Sequence, residues 1–456
     1  MKRILALLLL ALPLSAAAQL SNEHVHKFVE HNNARYRNEI NIPGFDGYQT
    51  LKCDFHIHTV LSDGSVWPTV RVQEAWREGL DAIAITDHIE YRPNKKTVIT
   101  DHNESFKIAK EASEKYGIIV IKGAEITRKK PLGHMNALFI TDANALEVKD
   151  PLQAIDIARS QGGYVLWNHP GWPDNNSTIY DVHAELLKQG KIDAYEVCNH
   201  MESYPLTYDW FAQYNIAPMA NTDIHATTAA DYRVYGNDRP MTLVFAKDKS
   251  LESVREALEA QRTLAMGFNT VCGDEQLLKD FFTAGMKVSV VRQTKKGTEL
   301  QVTNMTSVPY TVRQAGRNQV RLDPFCTIQM SVEKDAKTLD LEVLNMVHQH
   351  RFAVPSPALA VLTLPPVQLE HLQPQVPPLG PAIELVLLAL CDQLEQLPQP
   401  HGRDRHVKIK KARLHNVMES GFQAPGYHLK ANKKPDRRHV VTVSGSGSKA
   451  QAHASG

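Results

Sequence analysis

Two histidines, two residues apart, close the run Asp54-Phe55-His56-Ile57-His58. In an extended chain alternate side chains share one face, so both imidazoles can converge on one ion. Asp63 follows within Thr59-Val60-Leu61-Ser62-Asp63-Gly64, near enough to supply a third group. A lone His-x-His is weak evidence for a metal; followed by Thr-x-x-Ser-Asp-Gly it is far more specific. Comparable groups recur along the chain. Ile83-Ala84-Ile85-Thr86-Asp87-His88 ends an apolar run in a polar pair, which also fits a capping turn. Glu125 ends the apolar run before it and is costly to bury unless paired or metal-bound. A structural ion pair and a carboxylate bridge between two metals are both open for it. His134 follows nine residues later, in Gly133-His134-Met135-Asn136. Trp167-Asn168-His169-Pro170-Gly171-Trp172 ends another run in His, and Asn221-Thr222-Asp223-Ile224-His225 sets Asp and His two apart. Each lone His has a bland reading as a packed side chain. Six His and three carboxylates, nearly all at the ends of successive apolar runs, do not share one easily.

The elements that must carry these residues are legible from periodicity. Leu51–Ile57, Ala82–Thr86, Ile118–Ala124, Tyr164–Trp167, Ala194–Cys198, Ile216–Ala220 and Met241–Phe245 read as buried strands. Thr69–Gly79, His102–Tyr116, Leu152–Gln161, Leu206–Tyr214 and Leu251–Ala260 have helical spacing between them, with Gly79, Gly117 and Gly162 where helices end. Strands alternating with helices imply an α/β fold with a largely parallel sheet, and about seven such units favour a barrel. The barrel is expected over 19–275. A small antiparallel β domain is expected over 276–346, with a hairpin turn at 294–297. Residues 347–456, Pro- and Leu-rich and then basic, read as a low-complexity, disordered tail, with a basic anion-binding tail as the functional alternative.

Lys2 and Arg3, the apolar run Ile4–Leu14 and the small residues Ala16–Ala18 read as a signal peptide over 1–18. The run is shorter than the ~20 residues a membrane span needs, so no stable anchor is expected, and the chain reads as periplasmic or secreted. His24, His26 and His31 are read as part of a surface helix rather than of a metal site. The formal net charge of +1 gives no bulk attraction toward nucleic acid or an anionic membrane. Five Cys at wide spacing form no disulfide framework, with room for one bridge in an oxidising compartment.

The series of motifs from about Lys52 to Phe268 resembles the PHP family, named for polymerase and histidinol phosphatase domains. The resemblance implies a distorted seven-stranded (β/α) barrel carrying three divalent metal ions, with zinc, manganese and iron all suited to nitrogen and oxygen donors. It implies one metal on His56, His58, Glu125 and Asp223, a second on Glu125, His134 and His169, and a third on Asp63, His88 and His225. It further implies metal-assisted hydrolysis of a small phosphate ester that depends on Glu125, His169 and Asp223. Arg128, Lys129, Lys130, Arg233 and Arg239 then become candidate phosphate contacts, against the plainer reading of solvated surface charges. Arg239 ranks first because it directly precedes the last expected barrel strand, and Arg128 stands between Glu125 and His134. Two other readings remain: an amidohydrolase-type hydrolase, in which a modified Lys commonly fills the place of Glu125, and a non-catalytic metal-binding module.

Overall fold

The computed structural model of the protein describes residues 36–233, 239–351 and 354–365. The segment read as a signal peptide, His24, His26, His31, Cys391, the side chain of Arg233 and the basic stretch beyond 365 lie outside them. The described residues fall within one unit, Met1–Gln368.

Eight strands make the first half: β1 (Gln49–Asp54), β2 (Ala82–Ile85), β3 (Ile119–Ile126), β4 (Met135–Leu138), β5 (Tyr164–Trp167), β6 (Ala194–Asn199), β7 (Glu202–Ser203) and β8 (Ala217–Asn221). Helices α1 (Pro68–Arg77), α2 (Glu104–Tyr116), α3 (Pro151–Ser160), α4 (Asp181–Lys188) and α5 (Trp210–Tyr214) intervene. Strands β1, β2 and β3 pair in parallel, as do β5, β6 and β8. Between the two parallel groups β4 runs antiparallel to both β3 and β5. Beyond the named strands, Ile57 and Ile224 form an isolated parallel bridge, which joins the two ends of this order at a point rather than by a continuous ladder.

This differs from the expected ring in one member. Met241–Phe245 becomes β9 (Met241–Ala246), which runs antiparallel to β1 and leads the sheet away through β10 (Thr263–Gly267) and β11 (Thr270–Gly273). The place beside β3 and β5 goes to β4 instead. An unbroken buried run such as β9 carries no direction in its sequence, and β4 is only four residues long. Leu206–Tyr214 also shortens to the one-turn α5, preceded by a 3-10 turn at Pro205–Thr207.

The first residues of the strands, among them Ala82, Tyr164, Ala194 and Ala217, are buried in one cluster with Val254, Ala257 and Leu258 of α6 (Leu251–Glu259). The polar residues collect past the strands' last residues. The C-terminal part holds α7 (Glu275–Ala284), β12 (Met286–Gln293), β13 (Thr298–Asn304), β14 (Tyr310–Arg313), β15 (Val320–Leu322), β16 (Thr327–Val332), β17 (Thr338–Arg351) and β18 (Val354–Thr363). Strands β12, β13 and β16 form a separate antiparallel sheet. The others continue the large sheet, because β17 pairs in parallel with β11. The β region therefore runs past the expected limit at 346: β17 and β18 form one long antiparallel pair through Thr363. Pro355 and Pro357 obscure β18 in the sequence, yet Ala358, Ala360 and Leu362 are buried. Among the described residues, Cys53, Cys198, Cys272 and Cys326 form no disulfide.

Candidate metal centre

Every donor expected from the sequence arrives at one place. His56 and His58 follow β1, His88 follows β2, Glu125 lies in β3, His134 precedes β4, His169 follows β5, and Asp223 and His225 follow β8. Asp63 enters from the loop after His58. Their ligand atoms form four overlapping groups, each with members within 4.8 Å of one another: His56, His58 and Glu125; His56, His169 and Asp223; Glu125, His134 and His169; and His58, Asp63, His88 and His225. His56 Nε2 lies 3.6 Å from Glu125 Oε1 and 3.1 Å from Asp223 Oδ1. His58 Nε2 lies 3.5 Å from Glu125 Oε2 and 2.8 Å from Asp223 Oδ1. This brings together the four donors of the first expected set. The geometry adds His58 to the third set, where its ring stacks between His88 and His225 at 4.4 and 4.3 Å.

The donors fit divalent cations. His58 Nδ1 and Nε2, Glu125 Oε2 and Asp223 Oδ1 are buried without a hydrogen-bond partner among the described residues. Their mutual contacts are short but lack hydrogen-bond geometry, and buried polar atoms left in that state are costly. Burial opposes the charged form of each carboxylate, but the surrounding imidazoles outweigh it, so Asp63, Glu125 and Asp223 are all held well below the usual carboxylate range. Burial, and then the neighbouring His88 and His225, push His58 down to about 4. Burial also works against protonation of His56, but Asp223, Glu196 and Glu125 raise it. A metal binds with the carboxylates ionised and the imidazoles neutral, so an ion entering beside His56, His88, His169 and His225, all raised by these carboxylates, takes the place of protons. His169 and Asp223 have φ of 23° and 51°. Such backbone costs about 1–3 kcal/mol per residue and concentrates at functional sites.

Behind the donors, a second layer of residues holds them in place. Glu196, fully buried in β6, faces His56 Nδ1 at 3.0 Å and accepts from the His169 amide at 2.7 Å, Asn199 at 2.7 Å and Asn221 at 3.0 Å. Asn168 donates to Glu125 at 2.9 Å. The Thr-Asp pair before His88 is a structural device: Thr86 bonds the backbone of Ile57, and Asp87 accepts from Thr59 and Ser62. Arg71, buried in α1, donates to the carbonyls of His58, Ile224, His225 and Ala226 and pairs with Glu74. Burying a guanidinium costs several kcal/mol, and these bonds, at about 1.5–3 kcal/mol each, offset that cost. Arg71 thus ties the backbone after β1 to the backbone after β8. Gly64 lets the Asp63 loop fold back, since a Cβ there would stand 2.9 Å from the His58 carbonyl carbon. The signal for Glu196 was an acid within an apolar strand, the same signal that marks Glu125.

The two arginines ranked as phosphate contacts are spent elsewhere. Arg239 is buried and pairs with Asp54 and Glu78, and Asp54 in turn accepts from Thr222 at 2.6 Å. Arg239 therefore braces the strand end from behind. Arg128 pairs with Glu90 and donates to the carbonyls of Thr127 and Val148. Lys130 pairs with Asp174. Lys129 is exposed and lines a cavity beside the donors. The donors themselves open to a 570 Å³ cavity bordered by Tyr91, Trp172, His200 and Glu202.

The sequence pattern of the PHP domain matches residues 54–258. An uncharacterised protein of Methanocaldococcus jannaschii is 42% identical over 194 residues, covering 39% of this chain and 82% of that protein. A crystal structure from Bacteroides vulgatus, of a two-domain protein containing a predicted PHP-like metal-dependent phosphoesterase, superposes with a TM-score of 0.68 at 38% identity. It covers 73% of this chain and 100% of its own. A PHP domain carrying a clustered His, Asp and Glu centre, followed by a β-rich region, places this chain in the PHP family.

Proposed function

We propose that this chain is an exported phosphoesterase that holds three divalent ions, zinc, manganese or iron, and hydrolyses small phosphate esters. The observation that carries the reading is the sharing of donors. Glu125 belongs to two of the four groups, and its unpartnered Oε2 lies among imidazoles beside an open cavity. One ion would lie on His56, His58, Glu125 and Asp223, a second on Glu125, His134 and His169, and a third on Asp63, His88 and His225. The seven strands around them would act as a distorted barrel.

Divalent ions held by these donors would supply Lewis acidity toward phosphoryl oxygens and would lower the pKa of a water so that it could act as the nucleophile near neutral pH. The remaining work belongs to the side chains. Glu196 fixes the ring orientation of His56, and Thr127, 2.6 Å from His88 Nδ1, does the same for His88. Outside the donor groups, Tyr91, His200 and Glu202 also border the cavity. Glu202 accepts the Tyr204 hydroxyl at 2.6 Å. His200 stands half-exposed with its ring 3.6 Å from Asp231, and we assign it the proton passed to the leaving oxygen.

An amidohydrolase-type site would use a modified Lys as its bridge, whereas here the carboxylate of Glu125 is common to two of the donor groups. A non-catalytic module would be expected to have lost donors, and this chain keeps all nine. His169→Ala and Glu125→Ala, each checked for folding by circular dichroism, should lower hydrolysis of an aryl phosphate ester by at least about 100-fold. Full activity in both purified variants would refute the reading.

A further inference from the structure

A second cavity, of 500 Å³, adjoins the donors and shares Thr127, His134, His169 and Trp172 with the first. Its walls are mainly apolar: Pro131, Leu132, Pro170 and Pro173 line it. The charges around it are largely neutralised, because Arg128 is paired with Glu90 and Lys130 with Asp174. His183 is occupied as well, bonded to the Leu132 carbonyl at 2.7 Å and stacked on Trp167. Two groups remain available. Trp172 is 49% exposed, with its ring 5.3 Å from His134 and 5.5 Å from His169, at the divide between the cavities. Lys129 is exposed, with no partner among the described residues.

A phosphomonoester has one substituent on phosphorus and up to two negative charges. A phosphodiester has two substituents and one charge. Space on both sides of the donors, one cavity for each substituent, matches the second description. An exposed indole beside an apolar recess suits a planar aromatic group.

We infer that the 500 Å³ cavity is the subsite for an aromatic substituent of a phosphodiester, held against Trp172, with Lys129 supplying the cation for the anionic substrate. The inference rests on the phosphoesterase reading. In the reaction, the oxygen of water bonds to phosphorus and the bond from phosphorus to the oxygen of the other substituent, on the His200 side, breaks with its electron pair. One water proton passes to that oxygen. The other stays with the phosphomonoester product or leaves to solvent.

The test compares bis(4-nitrophenyl) phosphate with 4-nitrophenyl phosphate on the metal-loaded full chain. The diester should have the higher kcat/KM. Trp172→Ala should raise its KM about tenfold, the range an aromatic contact supports, with the loss in KM rather than kcat. Trp172→Phe should recover most of that affinity. Lys129→Gln, at an exposed position, should raise the diester KM about threefold, and less in high salt. Diester binding should quench tryptophan fluorescence less in Trp172→Phe than in the wild type. A preference for the monoester, or an unchanged diester KM in Trp172→Ala, overturns the subsite and leaves the phosphoesterase reading standing. Turnover of neither ester overturns both.

Discussion

Glu196 is the residue on which the orientation of His56 depends most directly. Its carboxylate faces His56 Nδ1, which leaves Nε2 directed toward Glu125 and Asp223. Removing an outer partner of this kind commonly lowers metal affinity by about 10–100-fold. Glu196→Gln keeps the shape but loses the charge, so titration of the apo protein with zinc or manganese should show weakening in that range. Equal affinity in variant and wild type would mean that Glu196 is structural only. At this scale the sequence was informative in an uneven way. The nine donors could be picked out because imidazoles and carboxylates at the ends of apolar runs are chemically conspicuous. Arg239 and Arg128 could not be placed, because a cation's role depends on which carboxylate reaches it. For Arg239 the partners are 185 and 161 residues away.

At the scale of elements, Asp81 shows how β1 and β2 are set side by side. It stands just before β2 and accepts from the Lys52 amide at 3.0 Å. Lys52 Nζ lies 2.6 Å from it, and Lys249 Nζ, before α6, lies 3.1 Å away. Burial raises its pKa, but the two lysines and the amide outweigh burial and hold it below the ordinary aspartate value. A depressed folded-state pKa stabilises the fold above the unfolded value of about 3.9, and the contribution is lost as pH falls through the folded value. Asp81→Asn should therefore destabilise the protein by roughly 1–3 kcal/mol at pH 7, with the gap from wild type narrowing below about pH 4. Denaturant unfolding at pH 7 and at acid pH measures both; a gap independent of pH would count against the ion-pair account. Most helices and strands sit within a residue or two of their periodicity. The exceptions have local causes. Strand β4 is too short to show alternation, and α7, with Leu277, Leu278, Phe281 and Phe282 on one face, directly precedes a change to alternating residues.

Over the whole molecule, the β-rich region is joined to the metal-bearing half through the β11–β17 ladder, at Val271 with Met346 and Cys272 with Val347. A chain ended at 346 would lose one of those pairs and all of β18. The burial of Leu362, Ala358 and Ala360 alone is worth roughly 3 kcal/mol. Such a chain should melt well below one ended at 365 in a thermal scan, and equal midpoints would show β18 to be dispensable. The sequence by itself determined the donor set, the strand ends that carry it and the alternation of strands with helices. Each of these follows from local chemistry and local periodicity. Tertiary structure alone decided that β4 rather than β9 stands beside β3, that Arg71 and Glu196 hold the donors, and that Arg239 turns away from the cleft. Strand direction and charge pairing are relations between distant segments, and only the folded chain brings those segments within reach of each other.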